Sequence, residues 1–201
     1  MLLSQETKHK MERIGLFGGS FDPVHLGHLL VAQAAREELD LSRLFFIPAA
    51  QSPFNPDRQP TPAKDRLRLL CLALAGETWC EIDDQEIRRG GVSYTIDTVR
   101  AYSRRFPETK LFYLIGADQV SALSKWRAAE QLAALVEFAV IPRPGQPETP
   151  FVEPFHGRTV AGFPLGVSSS DIRARVRTGR SIGHLVPERV AEAICNNRLY
   201  L

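Results

Sequence analysis

The sequence predicts an α/β fold, a doubly wound parallel sheet with helices on both faces. Three observations carry this expectation. Short apolar runs alternate with segments of helical period along most of the chain. Those runs are continuous rather than alternating, as in strands buried on both faces. Several end in glycine-containing turns, where a strand passes into a helix at the edge of a sheet that binds ligands. At 201 residues the chain is long enough to bury a sizeable core. Its 44% hydrophobic and 24% charged residues are ordinary for a globular protein.

Residues 1–10 are mostly polar after Leu2-Leu3 and are read as a disordered tail, with Met11 an alternative start. Residues 11–201 are read as one domain. Ile14 to Phe17 is a first buried strand ending in glycines. Leu29, Leu30, Ala32, Ala35 and Leu39 then keep a 3.6-residue period, with Arg36, Glu37 and Glu38 outward. Leu44 to Pro48 is a second strand. Ala49 to Pro62 carries Pro53, Pro56, Pro60 and Pro62 and reads as a stiff loop. Ala63 to Ala75 is helical, Trp79 to Ile82 a third strand, and Gln85 to Arg89 is read as its extension. Gly90-Gly91 is a turn. Ser93 to Phe106 is a helix opening near Thr95 or Asp97, Lys110 to Ile115 a strand, and Gly116-Ala117-Asp118 its end. Ala128 to Leu135 and Val136 to Ile141 add a helix and a strand, and Arg143 to Pro154 is a proline-rich loop. Ser168 to Leu201 forms a C-terminal helical section of two helices. The first opens with serines suited to capping, and the second has Pro187 near its first turn. Such alternation defines a Rossmann-like domain, whose ligands bind outside the C-terminal strand ends where strand order reverses.

The formal net charge of +2 gives no global electrostatic reason to expect nucleic acid or an anionic membrane as partner. No segment approaches the ~20 apolar residues that span a bilayer. Cys71, Cys80 and Cys195 stand far apart without CxxC spacing, which fits a reducing cytoplasm rather than a disulfide framework. Cys71 lies in the apolar run Leu69 to Leu74 and is expected in the core.

The chemistry concentrates after the first strand, in Gly18-Gly19-Ser20-Phe21-Asp22-Pro23-Val24-His25-Leu26-Gly27-His28. Glycines let backbone N–H groups approach a ligand, and a helix N-terminus favours phosphate. His25 and His28, three apart, share a helix face. Taken singly, each histidine also reads as a plain helix-entry residue. Zinc ligation lacks a further Cys or His at ligand spacing. Gly15, Gly18 and Gly19 do not make the GxGxxG of dinucleotide-binding dehydrogenases.

These residues resemble the HxGH nucleotidyltransferases, whose second motif is a serine-rich ISSTxxR. Here Val167-Ser168-Ser169-Ser170-Asp171-Ile172-Arg173 stands in its place, with Ser170 for the threonine and Val167 for the isoleucine. Arg89 to Thr98 resembles the SYTxDT segment of bacterial nicotinate-nucleotide adenylyltransferases. Leu114 to Asp118 followed by Lys125-Trp126-Arg127 resembles their GADxxxxxxxW segment. The likeness extends from Arg13 to Tyr200. One departure is Pro53-Phe54-Asn55, where that family often carries Pro-His-Lys or Pro-His-Arg, so a basic phosphate contact is missing there. Arg58 and Lys64 are the nearby basic residues. A family asparagine after the strand-two proline is alanine here, Ala49 or Ala50.

The resemblance implies adenylyl transfer from ATP to nicotinate mononucleotide, giving deamido-NAD and pyrophosphate, with Mg²⁺ carried mainly by ATP. It implies that His25, His28 and Arg173 act on the phosphates, supported by Gly18, Gly19, Ser20, Phe21, Ser168 and Ser169. Gly116 and Asp118 would meet the ATP ribose, although Asp118 reads equally as a helix N-cap. Ser20, Phe54, Tyr94, Thr95, Trp126 and Arg127 would bind the mononucleotide. Trp126 alone reads as core, and Arg173 alone as a solvated helix face. The alternatives are an adenylyltransferase for nicotinamide mononucleotide or pantetheine phosphate, and a non-catalytic nucleotide sensor.

Overall fold

The computed structural model describes residues 11–54, 59–142, 149–163 and 165–201. Glu12–Gly19 (β1) runs up the middle of a six-stranded sheet. Arg43–Pro48 (β2) and then Cys80–Ile82 (β3) pair on one side of it. Thr109–Gly116 (β4), Glu137–Ile141 (β5) and Gly157–Thr159 (β6) follow on the other. The order is β3-β2-β1-β4-β5-β6 and every pairing is parallel. The chain therefore winds outward through β2 and β3, then crosses back to lay β4 against β1. The reversal of strand order falls between β1 and β4, whose C-terminal ends are Gly19 and Gly116.

Side chains alternate across the sheet with period two and fill two separate cores. Phe17, Leu44, Phe46, Phe112, Leu114 and Ala139 point to one face. There they meet Leu26–Leu39 (α1), Ala63–Ala73 (α2), Ser169–Arg177 (α7) and Glu188–Asn196 (α8). Ile14, Leu16, Phe45, Ile47, Tyr113, Ile115, Phe138 and Val140 point to the other. They pack on Thr95–Arg105 (α4) and Ala129–Leu135 (α6). This is the doubly wound architecture that the unbroken apolar runs predict.

Two expectations are corrected. Gln85–Arg89 is a short helix (α3), not an extension of β3. The glycines after it are a turn, with positive φ at Gly90 and Gly91. Cys71 is exposed, because the buried stripe of α2 is Arg66, Leu69 and Leu70 and Cys71 falls off it. The edge strand β6 is an addition, in a stretch beyond the 143–154 loop to which sequence reasoning assigns no element. The tail 1–10, Asn55, Arg58 and Arg143 lie outside the described residues.

Candidate active site

The first motif leaves the end of β1 and wraps into α1. Gly18 is fixed by packing as much as by any ligand: a Cβ there would collide with the Tyr113 hydroxyl reaching across from β4. Phe21, at positive φ, is fully buried and lays its ring edge against His28 at 5.0 Å. Phe17 flanks the same imidazole at 5.8 Å. His25 takes the N-cap position of α1. The His25 and His28 rings stack with centroids 3.7 Å apart.

The backbone N–H of His25 donates to Nδ1 of His28 at 3.2 Å. A neutral His28 whose Nδ1 accepts carries its proton on Nε2, which leaves Nε2–H as a donor. Burial holds the His25 imidazole down at about 4, with Asp171 opposing. Burial, and then the neighbouring His25, hold His28 well below its ordinary value. At neutral pH both rings are therefore uncharged donors awaiting an anion.

The second motif is clasped onto the first. Ser168 caps α7, its Oγ accepting from the Asp171 N–H at 3.1 Å. Ser169 Oγ donates to the Pro23 carbonyl at 2.8 Å. Arg173 donates to the Asp22 carbonyl at 2.6 Å and to Ser170 Oγ at 2.9 Å. Two segments about 140 residues apart in sequence thus meet through side chain to backbone bonds. A residue that sequence reasoning missed braces the loop from below. Arg66, 1% exposed, donates to the carbonyls of Ser20 at 2.8 Å and Thr61 at 2.9 Å. The signal for it was present, since Arg66 shares the i, i+3, i+4 face with Leu69 and Leu70.

Two cavities open at this clasp. The larger, about 640 Å³, is lined by His25, Gly27, His28, Ser168, Ser169 and the largely apolar stretch 160–163, 165–167. The N-terminal ends of α1 and α7 both contribute to it. The smaller, about 220 Å³, is lined by Gly18, Gly19, Ser20, Phe54, Thr95, Tyr113 and Trp126 among others. Phe17 and Gly116 line both, so the cavities adjoin at the β1–β4 reversal.

Trp126 packs edge-on against Tyr113 and Phe138 and also lines the smaller cavity, so core packing and site coexist in one ring. Phe54, half exposed, lies 5.6 Å from it. Thr95 Oγ1 donates to the Tyr113 hydroxyl at 3.4 Å. Tyr94 lines neither cavity and carries the Arg127 guanidinium on its ring at 4.7 Å. Asp118 is exposed in the first turn of Ala117–Val120 (α5), lines neither cavity and is not the cap, a position that Gly116 takes. Lys64 is exposed on the first turn of α2 and lines neither cavity. Among the described residues, no group of three or more His, Cys, Asp or Glu is placed to hold a metal ion. No helix among them is long and apolar enough to cross a membrane.

This fold, with two motifs clasped together beside the strand-order reversal, is that of a nucleotidyltransferase. The family model described as cytidylyltransferase-like matches residues 16–175. A protein of Opitutus terrae named "Probable nicotinate-nucleotide adenylyltransferase" is 40% identical over 94% of this chain and 97% of its own. One of the same name from Gemmatimonas aurantiaca is 43% identical over 94% of this chain and 92% of its own. Among solved structures, a Plasmodium falciparum nicotinic acid mononucleotide adenylyltransferase complexed with NaAD superposes with a TM-score of 0.79. It is 16% identical, covering 94% of this chain and 97% of that one. The chain belongs to the cytidylyltransferase-like family and, within it, to the nicotinate-nucleotide adenylyltransferases.

Proposed function

We propose that this chain transfers the adenylyl group of ATP to nicotinate mononucleotide, releasing pyrophosphate and forming deamido-NAD, a step of NAD biosynthesis. The observation that carries the reading is the meeting of two unlike cavities at Phe17 and Gly116. One has histidines, capping serines and an apolar flank suited to a phosphorylated adenosine. The other has an indole wall suited to a flat heterocycle. Adenylyl transfer needs the two nucleotides end to end, with the ATP α-phosphate at their junction.

In that arrangement a phosphate oxygen of the mononucleotide attacks the α-phosphorus in line. A new P–O bond forms, the α–β bridging bond breaks, and its electrons leave with pyrophosphate. The attacking phosphate is already ionised near neutral pH, so the chain supplies position and charge stabilisation rather than a base. His28, donating through Nε2–H, serves the phosphoryl oxygens, with stacked His25 beside it. The N-terminal ends of α1 and α7, which both line the larger cavity, favour an anion through their dipoles. Arg173 serves the outer phosphates from the clasp. Phe21 acts beneath His28 as a positioning residue. Mg²⁺ would be held mainly by the triphosphate and water, where it would offset charge on the phosphate oxygens.

The test is pyrophosphate release, with chromatographic identification of the dinucleotide, on parallel samples of nicotinate and nicotinamide mononucleotides and pantetheine phosphate. Deamido-NAD as the preferred product supports the reading. ATP binding without turnover on any acceptor would sink it.

A further inference from the structure

The smaller cavity is an odd place for an acidic ring. Among the described residues no lysine or arginine side chain lines it, and one carboxylate does. That group is Glu86 of α3, 4% exposed. Its Oε1 accepts from Thr98 Oγ1 of α4 at 2.5 Å. It also bonds the side chain of Ser93, whose Oγ accepts the Ala50 N–H at 2.9 Å. Glu86 therefore ties α4 to the loop after β2, the two segments that wall the cavity. Neither phosphate chemistry nor the clasp of the two motifs uses it.

A carboxylated pyridine and an ionised, buried Glu86 cannot share a small cavity at low cost, since like charges at close range repel. A protonated Glu86 removes the repulsion and offers an O–H donor instead. An uncharged carboxamide is indifferent to the charge of Glu86. Resting on the function proposed above, we propose that Glu86 is a specificity-determining residue of the acceptor cavity: uncharged it admits the pyridine carboxylate, and ionised it turns the cavity toward the neutral carboxamide.

The surroundings move the carboxyl toward the uncharged form. Burial raises the Glu86 carboxyl above its ordinary range, and Asp83, before α3, acts the same way. Thr98, Ser93 and Arg89 of α3 oppose them. Tyr113 of β4 faces Glu86 with a phenol that burial pushes far above physiological pH, so it does not titrate alongside. Asp83 is itself occupied by the Tyr102 hydroxyl at 2.6 Å and lies near Arg88 and Arg105.

The experiment measures kcat/KM for nicotinate and nicotinamide mononucleotides from pH 6 to 9, on the full chain and on Glu86→Gln. Both substrates carry the same phosphate, so its ionisation cancels in their ratio. The wild-type acid-to-amide ratio should fall with pH, approaching tenfold per unit above the Glu86 ionisation. The Glu86→Gln ratio should be flat, because glutamine keeps the acceptor for Thr98 without the charge. A flat wild-type ratio, or the same fall in Glu86→Gln, overturns the proposal. Calorimetric titration of the wild type at a pH on the falling part of that ratio, in buffers of different ionisation enthalpy, gives a second reading that needs no variant. Uptake of about one proton with the acid and none with the amide is expected; equal uptake with both overturns it. Failure to form a dinucleotide from either mononucleotide would instead strike the proposed function itself.

Discussion

At the scale of single residues, the histidine pair separates a binding role from a catalytic one. His28 is fixed on three sides, by Phe17, Phe21 and the His25 backbone N–H, so its free Nε2–H is preorganised. A preorganised donor contributes most where charge develops, so its loss should fall on the transition state rather than on ground-state binding. His28→Ala is expected to lower kcat by about 10²- to 10³-fold with little change in either KM. Steady-state kinetics on both substrates checks this, and a near-normal kcat would remove His28 from the chemistry. That the two rings lie together was legible in the sequence, because they stand three apart at the start of a helix. The electrostatics of the pair were not legible. The depressed imidazoles come from burial, with the neighbouring His25 adding to the effect on His28, which spacing alone does not give.

At the scale of elements, the site is a clasp between the start of α1 and the start of α7, and two arginines hold it from different sides. Arg173 reaches the Asp22 carbonyl from α7; under the proposed function, Arg173→Ala should raise KM for ATP several-fold more than KM for the mononucleotide. Equal losses for both would reassign Arg173 to scaffolding. Arg66 is deeper and has no route to substrate except through the Ser20 loop. Arg66→Met removes a buried cation beside Asp22 and leaves the Ser20 and Thr61 carbonyls unpaired. A loss of about 3 kcal/mol is expected, and a drop in Tm on the order of 10 °C by calorimetry. The two motifs could be read from the sequence, and so could their pairing by resemblance. Arg66 was passed over because helix periodicity was read for apolar residues only. Cys71 was misplaced for the converse reason, since an unbroken apolar run hides which residues share the buried stripe. Five residues of α3 are too few to display a helical period, and β6 has three residues and little apolar character.

At the scale of the whole molecule, the parallel sheet was legible because its four inner strands, β2, β1, β4 and β5, are apolar runs buried on both faces, and the β1–β4 reversal then located the site. What the fold adds is a cost: it buries titratable imidazoles at the active centre. The pH dependence of stability should report that cost. Histidine in the unfolded chain protonates near pH 6.5, whereas His25 resists until about 4 and His28 lies well below its ordinary value too. Between those limits the unfolded state binds more protons than the folded state, so stability rises with pH and is lost as pH falls from about 6.5 toward 4. His25 alone accounts for about 3 kcal/mol over that interval, and His28 acts in the same direction. Glu86 works against them, because its raised carboxyl takes up a proton more readily in the folded state. Glu137, whose carboxyl is held low by Lys110 and Arg158 against the opposing effect of its burial, contributes only below the ordinary glutamate range. Across the interval from pH 6.5 to 5 the two imidazoles therefore act together against the Glu86 carboxyl. Urea unfolding midpoints measured across it should fall for the wild type. The fall should disappear or reverse when His25 and His28 are both replaced by asparagine, which also suits the N-cap position. An unchanged slope in that double variant would mean that other groups carry the acid sensitivity and that the folded imidazoles titrate as they do in the unfolded chain.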